Sequence, residues 1–239
     1  MATTATDLRR EADSLSARLT AWRRDLHAHP ELGFAEHRTA GMVVQILREV
    51  GCEVRTGLGQ TGVAGLLRGG LPGPTVMLRA DMDALPIQEI SDAPYASTEP
   101  GAMHACGHDG HVAMALGAAT LLAQHAPEMP GQVLLLFQPA EECMDGARSM
   151  IRDGALDNPR PAAAFGLHLW NSMPVGRVAA QSGPIMAAAD ILRITIYGRG
   201  GHGALPHEAV DAIAACGQVL SALQTIVSRN VNQIGRAHV

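Results

Sequence analysis

The chain contains 239 residues, of which 47% are apolar and only 3% are aromatic, so it is long enough for one large domain or one domain plus part of another, with an aliphatic core. The formal net charge is −5 and there is no basic block, which argues against nucleic acid as the main partner. The sequence has no signal pattern and no apolar run of about 18 residues, which predicts a soluble cytoplasmic protein. It also has no CxxC pair, and its cysteines do not form a disulfide framework pattern.

Helical and apolar segments alternate along the first two thirds of the chain. Apolar residues at helical spacing predict a first helix from Leu8 that ends at His29-Pro30, because proline disfavours the α conformation in the residue before it. The further predicted helices cover about 36–50, 111–125 and 149–156, and the predicted strands cover 63–67, 75–79, 132–137 and 162–169. Strands that alternate with helices predict an α/β fold with a central sheet.

The pattern changes near Ser182-Gly183-Pro184, where we predict a domain boundary. Residues 190–197 alternate apolar and polar side chains, which predicts a half-exposed strand, and a helix is predicted from about 208 to 227. The predicted domains are therefore 1–184 and 185–239. One strand and one helix are too little to bury a core, so we expect the second domain to be completed elsewhere or truncated.

Polar side chains that could bind a metal lie near the ends of the predicted strands. Residues 103–111 contain three histidines, one thiol and one carboxylate, a combination that is rare in a packed core because each buried polar group needs a partner. Nitrogen, sulfur and oxygen donors of this kind bind divalent transition metals, and open α/β sheets bind ligands at the carboxyl ends of their strands. The candidates are Asp81, Asp83, Cys106, His108, Glu141, Glu142 and His168.

Residue spacing suggests roles within these clusters. Cys106 and His108 are two residues apart, so in an extended segment both side chains point the same way and can share a metal. Glu141 and Glu142 are adjacent, so in extended backbone one can bind a metal while the other acts as a general acid and base, which predicts metal-assisted hydrolysis. The alternatives are a small buried cysteine with a loop histidine, and an exposed acidic turn.

Two further motifs have competing interpretations. Residues 198–203 match GxGxxG, which is a dinucleotide-binding fingerprint where it follows a strand and opens a helix. The helix is predicted only after Pro206, and no later strand carries a ribose-binding acid, so a flexible loop that presents His202 to a ligand is favoured over a nucleotide site. His27 and His29 are expected to cap or pack a helix end rather than to bind metal.

The sequence resembles the metal-dependent amidohydrolases that include hippurate hydrolase, N-acyl-amino-acid amidohydrolases and the plant indoleacetyl-amino-acid hydrolases, within the aminoacylase and carboxypeptidase superfamily. The similarity spans about residues 20–232. It rests on His27-Ala-His-Pro-Glu-Leu-Gly-Phe, Leu78-Arg-Ala-Asp-Met-Asp-Ala-Leu-Pro, His104-Ala-Cys-Gly-His-Asp-Gly-His, Phe137-Gln-Pro-Ala-Glu-Glu, Gly166-Leu-His-Leu-Trp, Gly200-Gly-His-Gly-Ala-Leu-Pro-His and Ser228-Arg-Asn-Val.

The resemblance implies a three-layer α/β catalytic domain with a central mixed sheet, interrupted by a smaller α+β, ferredoxin-like lid that also forms a dimer. It implies two divalent metal ions, and the cysteine ligand leaves Mn, Zn, Co or Ni open. The metal ligands it implies are Cys106, His108, Glu142 and His168. The other roles it implies are a general base (Glu141), a group that polarises the scissile carbonyl (His202), a group that binds the substrate carboxylate (Asn230) and two that orient the ligands (Asp81 and Asp83).

The same resemblance predicts the activity. Enzymes of this family hydrolyse the amide bond of N-acyl amino acids, such as hippurate-like or N-acetyl amino acids, to a carboxylate and a free amino acid. We therefore expect a small-molecule substrate, a homodimer formed through the lid, and neither nucleic acid nor membrane as a partner. The alternatives are a metal- or amino-acid-binding protein without turnover and, less favoured, an NAD-dependent oxidoreductase.

The sequence departs from the family pattern at its last residues. Family members continue past the lid, return to the catalytic domain and supply a final metal-binding histidine, whereas this chain ends at Gln233-Ile-Gly-Arg-Ala-His-Val. We therefore expect a C-terminally truncated chain that lacks part of the lid and one metal ligand, and the activity of such a fragment stays open. His238 is not assigned the role of that ligand.

Overall fold

The computed structural model describes residues 5–185 and 192–230. Two compact units are present, one that extends to Met173 and one that begins at Pro174. The division into domains 1–184 and 185–239 stays a prediction. Among the described residues, no helix combines the length and the apolar character that crossing a membrane requires.

The first unit alternates helices and strands, as the sequence predicts. Its helices are α1 (Ala5–Ser14), α2 (Ser16–Ala28), α3 (His37–Glu49), α4 (His108–His125) and α5 (Gly146–Arg152). Its strands are β1 (Glu53–Leu58), β2 (Gly62–Arg68), β3 (Leu71–Asp81), β4 (Pro130–Gln138) and β5 (Ala163–Gly166).

Several predicted elements differ from the structure at their ends. The predicted first helix is two helices that break at Leu15, and the predicted helix 149–156 is α5, which begins and ends earlier. The sequence does not predict strand β1, because its residues are mostly exposed and lack a clear apolar alternation. Strand β5 ends at Gly166, so His168 lies beyond the strand that was predicted to contain it.

The five strands form one mixed sheet in the order β1-β2-β4-β3-β5. The pairs β1–β2 and β2–β4 are antiparallel, whereas β3 runs parallel to both β4 and β5. Asp81 therefore lies opposite Gln138, and Arg79 lies opposite Gly166. The segments that follow β3, β4 and β5 consequently begin at the same edge of the sheet.

Helices cover both faces of this sheet. Val133, Leu135 and Phe137 of β4 face a core formed with α2, α3 and α4, whereas Leu134 and Leu136 face a smaller core formed with α5. This alternation follows from the two-residue period of side chains along a strand. The predicted three-layer α/β architecture with a central mixed sheet is confirmed.

Less regular structure is found in the described residues of the second unit. They contain helix α6 (Ala212–Asn230), a 3₁₀ turn at Pro206–Glu208 and an isolated bridge between Arg199 and Val210. The predicted strand 190–197 is wrong over its described part, 192–197, because a strand needs a hydrogen-bonded neighbour and no described strand pairs with this segment. The ferredoxin-like lid stays a prediction.

Candidate metal centre

The candidate metal ligands of the first unit come together where its parallel strands end. Asp81 is the last residue of β3, the two glutamates follow β4, and His168 follows β5. Cys106 and His108 enter from the start of α4. Three groups of side chains place their ligand atoms within 4.8 Å of one another: Cys106, His108 and His168; Asp81, His108 and His111; and His108, Glu141 and Glu142.

A turn, rather than an extended segment, places Cys106 beside His108. Gly107 has φ +85° and α4 begins at His108, so the expected extended geometry is wrong. Glycine adopts this left-handed conformation without the steric cost that other residues meet. His108 and His111 lie three apart on the first turn of the helix, and their ring centroids are 5.3 Å apart.

The ring of His108 is oriented so that one nitrogen is left for a ligand. Its Nδ1 lies 2.8 Å from the backbone carbonyl of Asp83, to which it donates its proton. Its Nε2 has no hydrogen-bond partner, although it lies 3.6 Å from Asp81 Oδ2 and 3.8 Å from Glu142 Oε1. Glu142 Oε1 is also buried without a hydrogen-bond partner. A buried nitrogen and a buried carboxylate oxygen without partners fit a metal ion between them.

Cys106 and His168 offer a second pair of donors. Cys106 Sγ lies 3.4 Å from His168 Nε2, while His168 Nδ1 donates to the carbonyl of Leu169 at 2.6 Å. Burial, together with the negative charge of Glu142, raises the pKa of the Cys106 thiol to about 12. A divalent cation would favour the thiolate instead, because its charge outweighs that of the nearby carboxylate.

Asp81 and His111 contact each other beside the candidate ligands. His111 Nδ1 lies 2.6 Å from Asp81 Oδ1, and His111 Nε2 accepts the backbone N–H of Leu169 at 2.9 Å, so both ring nitrogens are occupied. Burial raises the pKa of Asp81, but the hydrogen bond from His111 and the charges of His108 and Arg79 outweigh it and hold this pKa at about 2. The expected orienting role of Asp81 is consistent with these contacts and stays a prediction.

Glu141 and Glu142 lie in a tight turn, so the expected extended backbone is wrong here as well. Residues 141–144 form the turn, and Ala140 before them has φ +46°. The Glu142 N–H donates to Asp83 Oδ2 at 3.0 Å. Burial, followed by the negative charges of Glu142 and Asp81, raises the pKa of Glu141. The turn therefore places the carboxyl groups of Glu141 and Glu142 near His108, and the surroundings of the two groups differ.

One residue that contacts this turn, Glu36, is not indicated by any sequence pattern. Glu36 is fully buried, accepts the hydroxyl hydrogen of Thr61 and accepts the Ala140 N–H at 2.7 Å. A glutamate at the start of a helix is commonly exposed and favoured by the helix dipole, so its sequence position does not indicate burial.

A second buried polar cluster lies in the same unit. His27 Nδ1 is 2.8 Å from Asp109 Oδ2 and its Nε2 is 3.4 Å from Glu89 Oε1, so His27 packs against acids. Burial lowers the pKa of His104 to about 4. His29 Nδ1 donates to the carbonyl of Asp25 at the end of α2, as expected. Among the described residues, none of these histidines belongs to a group that could hold a metal.

We expect the His27–Asp109 pair to make the free energy of unfolding depend on pH. The hydrogen bond to Asp109 raises the pKa of His27 above its ordinary value of 6.5, against the effect of burial. The stabilisation is therefore fully present below pH 6.5 and is lost as the pH rises through the raised pKa. Urea unfolding from about pH 5.5 to 9 should show a wild-type advantage over His27→Gln that shrinks as the pH rises.

Asp109→Asn provides the matched control for this pair. The neutral amide removes the contact that raises the pKa of His27 most, so this variant should lose most of the same pH dependence, and the contact with Glu89 accounts for the remainder. An advantage of wild type over His27→Gln that stays constant across the pH range would contradict the expectation.

Two expected site residues, His202 and Asn230, belong to the second unit. His202 is exposed, and its Nδ1 accepts the Ala204 N–H at 3.1 Å. The segment 198–205 is an irregular loop and α6 begins only at Ala212, so the GxGxxG match does not open a helix and the dinucleotide interpretation lacks its structural context. Asn230 is the last residue of α6, and His238 lies outside the described residues.

Comparisons with known proteins show which family the chain resembles. The model of peptidase family M20/M25/M40 matches residues 77–233. The chain is 45% identical over 232 residues to the N-acyl-L-amino acid amidohydrolase of Geobacillus stearothermophilus, covering 97% of this chain and 62% of the relative. It is 46% identical over 224 residues to the N-acetyl-L-cysteine deacetylase of Bacillus subtilis, covering 94% of this chain and 53% of the relative.

A solved structure shares the fold. The Bacillus subtilis YXEP protein, a dinuclear metal binding peptidase from the M20 family, superposes with a TM-score of 0.72 at 38% identity, covering 89% of this chain and 57% of that protein. The chain thus spans less than two thirds of the length of each of these relatives. Because the family model matches more than half of the chain, the chain belongs to peptidase family M20/M25/M40.

Proposed function

We propose that the complete protein is a metal-dependent amidohydrolase that cleaves N-acyl amino acids, hippurate-like or N-acetylated, into a carboxylate and a free amino acid. One observation carries the proposal: His108 Nε2 and Glu142 Oε1 are buried 3.8 Å apart and neither has a hydrogen-bond partner. Similarity to an N-acyl-L-amino acid amidohydrolase and an N-acetyl-L-cysteine deacetylase supports the substrate class.

The donor set fits a pair of divalent ions. Cys106, His108, Glu142 and His168 would hold them, and the similar YXEP protein is a dinuclear metal binding peptidase. Sulfur, nitrogen and oxygen donors together suit Mn, Zn, Co or Ni. When bound, such ions supply Lewis acidity that makes water nucleophilic near neutral pH.

Glu141 is the residue proposed to move the proton. Its carboxylate accepts a proton from the attacking water as the new carbon–oxygen bond forms at the amide carbonyl. It returns that proton to the amine nitrogen as the carbon–nitrogen bond breaks. Burial and the charge of Glu142 raise the pKa of Glu141, which strengthens it as a base.

The remaining proposed roles concern two residues of the second unit and the oligomeric state of the protein. We propose that His202 donates a hydrogen bond to the scissile carbonyl oxygen, in the site of a partner subunit, and that Asn230 binds the substrate carboxylate. We further propose a cytoplasmic homodimer formed through the lid and acting on small molecules. In the first unit, Asp83 would orient His108 through the 2.8 Å contact of its carbonyl with Nδ1.

The direct test is metal-dependent release of a free amino acid. The complete protein is stripped with a chelator and assayed on benzoylglycine and acetyl-amino acids before and after Mn, Zn, Co or Ni is added. We expect no release without metal, and turnover together with about two bound ions per chain with it. Stoichiometric metal without release from any of these substrates would instead indicate a metal-binding protein without turnover.

A further inference from the structure

We propose that Glu36 is a positioning residue for Glu141: its buried carboxylate fixes the turn that carries the general base. The inference rests on the proposed function, because that function assigns Glu141 as the base. Glu36 comes from the start of α3, outside the residues 77–233 that match the family model.

Both carboxylate oxygens of Glu36 bind other segments of the chain. Oε1 accepts the backbone N–H of Ala140 at 2.7 Å, and Oε2 accepts the hydroxyl hydrogen of Thr61. The side chain is fully buried. Since an unpaired charge is costly away from water, these two hydrogen bonds fix where the carboxylate lies. Glu36 thus joins the start of α3 to the β1–β2 loop and to the turn after β4.

Buried carboxylates hold the backbone on both sides of Glu141. Glu36 accepts the N–H of the residue before it, Ala140, and Asp83 Oδ2 accepts the N–H of the residue after it, Glu142, at 3.0 Å. Asp83 also orients His108 through its carbonyl. Asp83 therefore contacts both the backbone after Glu141 and the candidate ligand His108. Glu36 holds the backbone before Glu141.

Backbone strain is concentrated in the same three segments. Within the described residues, the non-glycine residues with positive φ are Phe34 (64°), Gln60 (77°), Ala140 (46°) and Met144 (58°). Phe34 lies two residues before Glu36, Gln60 precedes Thr61, and Ala140 and Met144 bound the turn. Such conformations persist only where the surroundings enforce them, and they cluster at functional sites.

The segment before Glu36 also packs directly on the turn. A Cβ atom at Gly33 would lie 2.8 Å from Cys143 Sγ and 3.1 Å from the Cα of Ala140, so there is no room for a side chain. The hydrogen bond from Ala140 to Glu36 is the polar part of this close contact. A movement of the turn would therefore require the segment at Gly33 to move and the Ala140–Glu36 hydrogen bond to break.

Two substitutions distinguish the effect of side-chain length from the effect of charge at position 36. Glu36→Asp keeps the charge but is too short to keep the bond to Ala140, whereas Glu36→Gln keeps an acceptor oxygen at the same reach, and its amide can donate to Thr61. We expect Glu36→Asp to lower kcat by about 10- to 100-fold, because small displacements of a catalytic group cost this much. We expect Glu36→Gln to stay within about threefold of wild type in kcat, and KM and metal content to be unchanged in both variants.

Amide hydrogen exchange gives a readout that does not depend on activity. Exchange at the Ala140 amide should rise in Glu36→Asp but not in Glu36→Gln, while the Glu142 amide stays protected by Asp83. Glu31→Asp is the matched control. Its carboxylate accepts the N–H groups of Arg38 at 2.9 Å and Thr39 at 2.8 Å in the same helix start and, in the described part of the chain, makes no hydrogen bond to the turn.

The outcomes are distinguishable. The positioning role is overturned if Glu36→Asp keeps wild-type kcat, whether or not Ala140 exchange rises, or if Glu36→Gln is as impaired as Glu36→Asp. Absence of hydrolysis by the wild-type holoprotein would overturn the proposed function and with it the role of Glu141. In that case the exchange comparison still decides whether Glu36 anchors the turn.

Discussion

Replacing Glu141 with glutamine is expected to lower kcat by about 10²–10⁴-fold, the range for loss of a general base. Glutamine has nearly the same shape, but its amide cannot take a proton from water. Metal content should stay at the wild-type level, because the proposed ligands are Cys106, His108, Glu142 and His168, and Glu141 is assigned to the proton transfer. The measurements are kcat in the holoprotein and metal content by elemental analysis.

Glu142→Gln is the matched control, since it alters the neighbouring carboxylate in the same turn. Glu142 Oε1 is buried without a hydrogen-bond partner 3.8 Å from His108 Nε2, so this variant should bind metal more weakly and recover activity as the metal concentration is raised. Glu141→Gln should not recover in this way. Recovery of Glu141→Gln with added metal, or an unchanged kcat, would remove Glu141 from the role of base.

The meeting of the candidate ligands could be predicted because it follows from topology. Glu141, Glu142 and His168 come shortly after apolar strands, and the strands β3, β4 and β5 are parallel, so their carboxyl ends share one edge of the sheet. Residue type and position relative to the strands are therefore sufficient to predict that these side chains lie close together.

Local backbone geometry could not be predicted in the same way. The extended segments expected at Cys106–His108 and Glu141–Glu142 are turns, with Gly107 at φ +85° and Ala140 at φ +46°. A glycine at position 107 permits such a turn without requiring it. At Ala140 the conformation is held by a hydrogen bond to Glu36, which is 104 residues away in sequence. Restraints over such distances leave no periodic signal in a single sequence.

Replacing His108 with alanine should have the largest effect on metal binding of any single ligand substitution. His108 belongs to each of the three side-chain groups that could hold a metal among the described residues, whereas Cys106 and His168 belong to one. Its Nε2 is also the nitrogen that the Asp83 contact leaves free. We expect metal affinity to fall by more than about 100-fold and hydrolysis to fall with it, since loss of an orienting group alone costs 10- to 100-fold. Calorimetric metal titration of the stripped protein measures the affinity.

His125→Ala separates loss of a ligand from disturbance of the helix. His125 lies at the other end of α4, where its Nε2 is 2.6 Å from Glu11 Oε2, so its removal alters the same helix without touching the metal centre. We expect this variant to bind metal as wild type does. In the absence of metal, His108→Ala should unfold at a lower urea concentration than wild type, because it leaves a cavity in place of a fully buried ring and removes the Nδ1 hydrogen bond to the Asp83 carbonyl. Wild-type metal affinity in His108→Ala would instead mean that the ions are held by carboxylates and Cys106 without the one residue that all three groups share.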